Sequence, residues 1–284
     1  MNNTNINSSP FGKLIPLIII LLGLVGLYYL YQYLFGPKTS NSYTLLSGKQ
    51  SANIDPSKPI TITSDKLPSI YEGGEFTIST WLYINNWSYR SGFNKSILSI
   101  GGPNFDTIRI YLGGTKPKLH VRLQTRDRSA VNNTTTTPTS SNQVPIESLD
   151  KGTQNAIFNI LQTDSGLLDS SPLCDLPELE LQRWINITVA VNGRTVDVYF
   201  DGKLARSCVL PSFFKVDAGG YSANLLAYGG FGGEIASVTM WDSALNPETV
   251  YKNYMAGPEP ITNFGSWLSS FFAPGVNISI SSKQ

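Results

Sequence analysis

The longest apolar pattern in the chain covers residues 14–35, which include no charged residue. At about 1.5 Å of rise per residue, a helix of this length spans about 33 Å, whereas the hydrocarbon core of a bilayer is about 30 Å thick. The pattern therefore predicts one transmembrane helix over residues 14–35, with the lipid bilayer as its partner. The run ends in an interfacial aromatic belt: Tyr28, Tyr29, Tyr31, Tyr33 and Phe35.

Two alternatives to a transmembrane helix remain open at this stage. A cleaved signal peptide has a shorter apolar part, of about 7 to 15 residues, followed by small residues. A buried helix would need a large core around it. The orientation of a membrane anchor is not decided by charge, because Lys13 precedes the run and Lys38 and Lys49 follow it.

Alternating apolar and polar residues predict strands from residue 60 onward. In residues 76–84 (FTISTWLYI), alternate residues face one side, and Trp81 and Tyr83 face the other. Further strands are predicted at 96–100, 107–112 and 118–124. The last of these alternates strictly, which is typical of a sheet with one buried and one solvated face, so we expect His120 to be solvated.

A three-stranded meander is predicted over residues 183–209. Its turns are Asn192-Gly193 and Asp201-Gly202, dipeptides favoured in two-residue hairpins because both central residues accept positive φ. We expect Trp184, which opens the first strand, to be buried between or beside the sheets. A last strand is predicted at 234–241, followed by a helix capped by Asn246, with Pro247 first and Gly257 after its end.

The remaining segments divide the chain into regions. Residues 1–13 are a polar tail, 36–59 a Gly-, Ser- and Pro-containing stalk, 126–181 an insertion, and 259–284 a C-terminal tail. Within the insertion, 129–145 favours a surface loop, whereas 152–162 favours a short helix. The inward residues of that helix are predicted to be Ile157, Ile160 and Leu161.

Composition narrows the classes of function. The formal net charge is +1 and only 14% of residues are charged, so no basic field attracts nucleic acid. The 25 glycines and 17 prolines indicate turn-rich β structure. About 245 residues follow the anchor, enough for one large β domain or two small ones.

The two cysteines, Cys174 and Cys208, are compatible with one disulfide that closes a loop of about 35 residues, worth roughly 3 to 4 kcal/mol. The alternative is two unrelated buried thiols. The sequence also contains glycosylation sequons, usable if the domain is lumenal or extracellular, at Asn86, Asn94, Asn132, Asn133, Asn186 and Asn277.

Three segments resemble the concanavalin A-like lectin/glucanase superfamily, and its laminin G-like domains in particular. They are 183–208 (RWINITVAVNGRTVDVYFDGKLARSC), 229–258 (GGFGGEIASVTMWDSALNPETVYKNYMAGP) and 76–84. The resemblance spans 60–258 and implies an all-β fold, a jelly-roll sandwich of two antiparallel sheets. The membrane-anchored form, with its cysteine pair, also resembles proteins of large DNA viruses.

The superfamily contains both hydrolases and lectins, so the fold does not decide the function. Retaining glucanases use two carboxyl groups about 5 to 5.5 Å apart, which this branch supplies from alternate positions of one strand. Here only Glu178 and Glu180 have that spacing, and they follow Pro177 in a loop. The sequence therefore favours a non-enzyme without catalytic residues, with glycoside hydrolysis as a less favoured alternative.

The sequence indicates no cofactor. Zinc-ligand spacing is absent, and the single histidine has no acid beside it in its strand. The resemblance implies that calcium could bind, but no ligand set can be named.

The best candidate for ligand binding is the stretch after the first long strand, which offers Asn86, Trp87, Tyr89 and Arg90. Aromatic faces and amide groups at a sandwich rim are typical of carbohydrate recognition. The alternative is that Trp87 and Tyr89 pack against the loop beneath them. Weaker candidates of the same kind are Tyr221, Tyr228 and Phe231.

The sequence thus predicts a single-pass membrane protein that displays a non-catalytic binding or adhesion module, lumenal, extracellular or on a virion membrane. Its ligand would be a glycan or a protein surface. The alternative is a structural envelope component without a sugar site.

Overall fold

The computed structural model describes residues 10–35, 41–126, 151–158 and 174–259. The chain separates into two compact units, residues 1–40 and 41–284. The first unit contains helix α1, Pro10–Phe35. Within the described residues, no helix combines the length and the apolar character required to cross a membrane.

The second unit contains eleven named strands and two α-helices among its described residues. In chain order these are β1 Ser42–Asn53, β2 Ile60–Ile62, β3 Glu75–Asn86, β4 Lys95–Gly101, β5 Asp106–Leu112, β6 Leu119–Leu123, α2 Lys151–Phe158, β7 Trp184–Asn192, β8 Thr195–Phe200, β9 Lys203–Val209, β10 Ser222–Leu225, β11 Gly230–Trp241 and α3 Pro247–Met255.

The strands form two antiparallel sheets, as the sequence predicts for an all-β sandwich. The six-stranded sheet has the order β1-β11-β3-β7-β8-β9, and the five-stranded sheet has the order β2-β10-β4-β5-β6. The late strands β11 and β10 each lie between two early strands, so the N-terminal and C-terminal parts of the unit share both sheets.

The core lies between the inner faces of the two sheets. Alternation in β3 is confirmed: Phe76, Ile78 and Leu82 are buried in the main core. Phe76 also meets Phe214 edge to face, with ring centroids 5.4 Å apart. Every residue of β6 is buried, on both of its faces. The predicted solvated face of this strand is therefore wrong.

The predicted stalk over 36–59 is also wrong in part, because Ser42–Asn53 forms β1 at the edge of the six-stranded sheet. This strand pairs with β11 from Ser42 opposite Trp241 to Asn53 opposite Gly230, with register shifts on the way. Only Leu45 and Ala52 are buried along it, so β1 has no apolar alternation for sequence analysis to detect.

The meander over β7, β8 and β9 is confirmed, with one shift in a turn. Asp201 and Gly202 both have positive φ, 48° and 72°, as a hairpin of mirror-image geometry requires. The first turn instead consists of Gly193 and Arg194, since Asn192 still pairs with Thr195. Gly193 has φ of 59° there.

Helix α3 begins and ends as the sequence predicts. The Asn246 side chain accepts a hydrogen bond from the Thr249 N–H at 2.8 Å, and Pro247 occupies the first helical position. Gly257 follows the helix with φ of 81°, a conformation that glycine adopts without strain.

The disulfide between Cys174 and Cys208 is confirmed, with Cα atoms 5.9 Å apart. It fastens the end of the insertion to β9, the edge strand of the six-stranded sheet. The Leu176 N–H donates to the Leu119 carbonyl at 3.0 Å, which fastens the same segment to β6 of the other sheet. We call the stretch Cys174, Asp175 and Leu176 the disulfide segment; it joins neighbouring edges of the two sheets.

The predicted helix in the insertion is observed over its described residues as α2, Lys151–Phe158, in which Phe158 is buried. The side chain of Ile157 and the residues Ile160 and Leu161 lie outside the described residues. So do most of the predicted N-terminal tail and nearly all of the C-terminal tail, the 129–145 loop, and the sequons at Asn132, Asn133 and Asn277.

Candidate functional site

The predicted binding residues lie in the turn that joins β3 to β4. Asn86 ends β3, and Asn86 and Ser88 are exposed, whereas Trp87, Tyr89 and Arg90 are half-buried. Arg90 has φ of 50°, a left-handed conformation uncommon outside glycine, so the turn has a defined backbone shape. We call residues 86–90 the rim loop.

Trp87 is fixed from two directions. Its indole Nε1 donates to the Thr115 carbonyl at 3.3 Å, and its ring packs against the main core. The ammonium group of Lys95 lies 4.0 Å from the ring centroid, within the range of a cation–π interaction. The orientation of the indole is therefore set before any ligand arrives.

Lys95 is fully buried, and its ammonium donates to the carbonyls of Phe93 at 3.3 Å and Gly114 at 3.5 Å. Loss of hydration on burial, together with repulsion from Arg90, lowers the pKa of Lys95 to about 8. Near neutral pH, Lys95 is thus a buried cation that both supports Trp87 and can lose its proton a little above that pH.

The other half of the rim loop is held by the segment before β11 and by α2. The Tyr89 hydroxyl donates to the Gly229 carbonyl at 3.0 Å. Gly232 permits the close approach of the loop, because a Cβ there would lie 2.2 Å from the Asn86 carbonyl oxygen. Arg90 donates from its guanidinium to the Phe158 carbonyl at 3.3 Å. The structure thus brings the four predicted residues together in one loop; their role in binding stays a prediction.

A buried charged cluster lies on the outer face of the five-stranded sheet. His120, predicted to be solvated, is 4% exposed and lies 2.9 Å from the Asp175 carboxylate through its Nδ1 atom. Arg122 is paired with the same carboxylate, with one contact at 3.0 Å. The prediction for His120 is wrong because the disulfide segment covers this face, which the pattern of one strand does not reveal.

The charge of Asp175 is stabilised by its partners. Burial alone raises the pKa of this carboxyl, but the hydrogen bonds from His120 and Arg122 outweigh burial and hold its pKa at about 2. Tyr111 stacks on the His120 ring with centroids 4.8 Å apart. These contacts form a buried network of charged and aromatic side chains around the Asp175 carboxylate.

Helix α2 closes the neighbouring part of the same face. Phe158 is fully buried, and its ring centroid lies 5.1 Å from that of Tyr111 and 5.3 Å from that of Tyr228. The guanidinium carbon of Arg109 lies 4.6 Å from the same centroid. Arg109 pairs with Asp106, which Lys151 of α2 also approaches at 3.3 Å. Both buried acids of this face, Asp106 and Asp175, are therefore paired with an arginine.

The two acids with glucanase-like spacing are exposed and are paired with different cations. Glu178 lies 3.5 Å from the Lys116 ammonium, and Glu180 pairs with Arg183. Among the described residues, no group of three or more His, Cys, Asp or Glu side chains could hold a metal ion.

An aromatic strip crosses the outer face of the six-stranded sheet. Trp184 is only half-buried here, so the prediction that it is buried between or beside the sheets is wrong. It pairs across strands with Tyr83, ring centroids 5.5 Å apart, while Trp81 is covered by Tyr254 of α3 at 5.5 Å. We define the strip by Trp81, Tyr83, Trp184, Tyr251 and Tyr254. Strand alternation predicts that Trp81 and Tyr83 share a face. The position of Trp184 beside them depends on the pairing register of β3 and β7, which the sequence does not reveal.

Two of the weaker aromatic candidates, Phe231 and Tyr221, pack or form hydrogen bonds within the fold. Phe231 is fully buried in the main core, and the Tyr221 hydroxyl bonds the backbone at Ile70 and Pro68. Two sequons are buried as well. Asn94 is 3% exposed and Asn186 1% exposed, so a glycan does not fit at either, whereas Asn86 is open.

No protein-family model matches the chain, and no curated protein matches it. Solved structures do. The chain is similar to the ligand-binding domain of botulinum neurotoxin serotype D, in a complex with N-acetylneuraminic acid (TM-score 0.46, 13% identity, covering 78% of this chain and 47% of that one). It is also similar to Trypanosoma rangeli sialidase, with a TM-score of 0.37 and 12% identity, covering 67% of this chain and 24% of that one. A SAP-like pentraxin from Limulus polyphemus is similar with a TM-score of 0.41 and 11% identity, covering 78% of this chain and 85% of that one. The chain thus spans less than half the length of the first of these.

Proposed function

We propose that this chain is a membrane-anchored, non-catalytic binding module whose rim loop recognises a glycan or the glycosylated surface of another protein. The observation that carries the proposal is the fixed rim loop: the half-exposed Trp87 ring is held in place between the exposed polar groups of Asn86 and Ser88. A ring face flanked by hydrogen-bonding groups matches a sugar, which has an apolar face and a polar edge. Preorganisation lowers the entropy cost of binding.

The non-catalytic part of the proposal is supported by the pairing of the acids. Asp106 and Asp175 are buried with arginine partners, and Glu178 and Glu180 are paired with separate cations. A general acid for glycoside cleavage needs a raised pKa, whereas the pKa of Asp175 is lowered.

The membrane anchor rests on the uncharged run over residues 14–35, which lies entirely within α1. Its apolar side chains are uncovered: Ile19 and Leu22 are each 63% exposed, and Tyr29 is 68% exposed. Burial in lipid removes this surface from water.

The Cys174–Cys208 disulfide supports a position of the second unit on the oxidising side of the membrane. The strand orders of the two sheets support a concanavalin A-like jelly roll.

The anchor is tested by alkaline carbonate extraction of membranes that contain the full chain. We expect the chain to stay in the membrane pellet. Recovery of the intact chain in the soluble fraction would contradict the anchor.

The binding role is tested by a glycan array with the full chain in lipid nanodiscs. We expect retention of a defined glycan class, and no release of reducing sugar from laminarin or a related glucan. The Trp87→Phe variant keeps a ring over Lys95 but removes the indole N–H, so it is a better probe than Trp87→Ala, which uncovers the buried ammonium. Turnover that disappears in Glu178→Gln or Glu180→Gln would overturn the non-catalytic proposal.

A further inference from the structure

An open cleft lies where β4 ends and β10 begins. Its volume is about 410 Å³, within the usual range of small-ligand sites, and its lining includes Ser64, Lys151 and Ser222. Ala223 and Leu225 of β10 belong to the core, so Ser222 points to the outer face of the five-stranded sheet. The seven residues of β4 separate the cleft from the rim loop by about 20 Å.

Two loops form most of the lining, the turn after β4 and the loop before β10, and one carboxylate joins them. The Asp217 carboxylate accepts hydrogen bonds from the Asn104 backbone N–H at 2.7 Å, from the Asn104 amide group at 3.0 Å and from the Gly219 N–H at 3.0 Å. Burial alone raises the pKa of Asp217, but these hydrogen bonds outweigh burial and lower it. The charged carboxylate therefore holds the two loops in one shape before a ligand arrives.

The lining consists largely of glycine backbone, because the two loops approach too closely for side chains. A Cβ at Gly102 would lie 2.3 Å from the Gly220 carbonyl oxygen, and a Cβ at Gly219 would lie 2.9 Å from Cγ of Pro103. A Cβ at Gly220 would instead meet nothing within 4 Å, so this residue borders open space. The cleft thus presents peptide groups at these positions.

The cleft also offers two free hydroxyl groups and one fixed aromatic ring. Within the part of the chain that the structure describes, the Ser64 and Ser222 hydroxyls have no hydrogen-bond partner. The Tyr221 hydroxyl, in contrast, donates to the Pro68 carbonyl at 2.8 Å and accepts from the Ile70 N–H at 3.0 Å. The orientation of the Tyr221 ring, which lines the cleft, is therefore set by the fold.

The charges around the cleft are balanced. The Lys151 ammonium donates to the Gly102 carbonyl and lies 3.3 Å from the Asp106 carboxylate. Asp106 is also paired with Arg109, and Asp217 provides a second carboxylate. Two cations thus accompany two anions. An ionic ligand would find no unpaired opposite charge among these groups, so the lining favours a neutral polar ligand.

We propose that this cleft is a second binding site, which takes one neutral sugar residue. Sugar hydroxyls both donate and accept hydrogen bonds, as the two serine hydroxyls and the glycine peptide groups together do. The apolar face of a sugar ring matches the fixed ring of Tyr221. The proposal does not rest on the rim loop, because the two sites share no residue. A glycan-bearing surface that fills both sites binds more tightly than through either one alone.

Saturation-transfer NMR tests the cleft with the full chain in lipid nanodiscs. The probes are methyl α-glucoside, methyl α-galactoside and methyl α-mannoside, and the background is the rim-loop variant Asn86→Ala with Ser88→Ala. We expect transfer to at least one probe in this background. Adding Ser64→Tyr, which places a ring in the cleft from an exposed position, should abolish most of the signal. Adding Ser207→Tyr, at an exposed position of β9, should leave it unchanged.

The two binding proposals fail separately in this experiment. Transfer in the wild type that disappears in the rim-loop background would assign the sugar to the rim loop and overturn the cleft. Transfer that survives Ser64→Tyr, or no transfer to any of the three probes, would also overturn the cleft. Circular dichroism confirms the fold of each variant.

A matched pair at Ser222 tests the hydroxyl contact in the same background. Ser222→Val and Ser222→Thr have nearly the same shape, but only threonine keeps the hydroxyl. We expect the dissociation constant of the best probe, measured by NMR titration, to be about fivefold higher in Ser222→Val than in Ser222→Thr, the effect of one lost hydrogen bond. Equal constants in the two folded variants would contradict a sugar bound in this cleft.

Discussion

The outer faces of the two sheets have opposite characters. The face of the five-stranded sheet carries charges, yet it is buried: the disulfide segment covers His120 and Arg122, and α2 covers Arg109. The face of the six-stranded sheet carries aromatic rings, yet its open end at Tyr83 and Trp184 is half-exposed within the described residues. Burial on these faces therefore follows the segments that cross a sheet, and side-chain polarity alone does not determine it.

The largest loss of stability is expected from a substitution on the charged face of the five-stranded sheet. Asp175→Ala leaves Arg122 and His120 buried without their carboxylate, so we expect a loss of about 3 to 5 kcal/mol in the free energy of unfolding. Urea denaturation measures the loss. The control is Glu180→Ala, which removes an exposed ion pair with Arg183 and should cost less than about 1 kcal/mol. A loss below about 1 kcal/mol for Asp175→Ala would mean that the face is open to water.

The two tryptophans of the strip provide a test within one sheet. Trp81→Ala should cost about 3 to 5 kcal/mol, because the ring is buried beneath Tyr254. Trp184→Ala should cost less, about 1 to 2 kcal/mol, since this ring is only half-buried. Urea denaturation of the two variants side by side gives the difference. Equal losses would contradict the division of the strip into a covered and an open end.

The sequence predicts much of the framework, because its signals are local. Alternation assigned the faces of β3, and the dipeptide Asp201-Gly202 and the cap Asn246 identified a turn and a helix start. The failures at β1, His120 and Trp184 all depend on partners distant in sequence: β11, the disulfide segment and β3. The rim loop was found as a set of residues, but its support by Lys95 depends on a fold that brings β4 beneath it.

Acid should weaken the charged face in a defined pH range. The pKa of Asp175 is lowered from 3.8 to about 2, so the folded state binds this proton less readily than the unfolded state does. Its contribution is complete above the unfolded pKa and is lost as the pH falls toward 2, a loss of about 2 kcal/mol. Urea denaturation at pH 6 and at pH 2 to 3 measures it. An Asp175→Asn variant should lack this part of the acid sensitivity; the same acid dependence in that variant would contradict the assignment.

Alkali should have the opposite effect near the rim loop. The pKa of Lys95 is lowered from 10.5 to about 8 in the folded protein, so the unfolded state holds the proton more tightly. Between pH 8 and 10, stability should therefore rise by about 2 kcal/mol from this group. Lys95→Met, which keeps the length and apolar character of the stem, should remove the rise. A rise of the same size in Lys95→Met would assign it to another group.

The central claim, that the rim loop binds a glycan, is tested most directly by isothermal titration of the full chain in nanodiscs with the glycan retained best on the array. Asn86→Ala with Ser88→Ala removes two exposed polar groups and leaves Trp87 supported by Lys95. We expect this double variant to bind about tenfold more weakly, a change of about 1.4 kcal/mol. Asn192→Ala, an exposed asparagine at the opposite end of the same sheet, should bind as the wild type does. Equal affinity of the rim-loop variant and the wild type would contradict the claim.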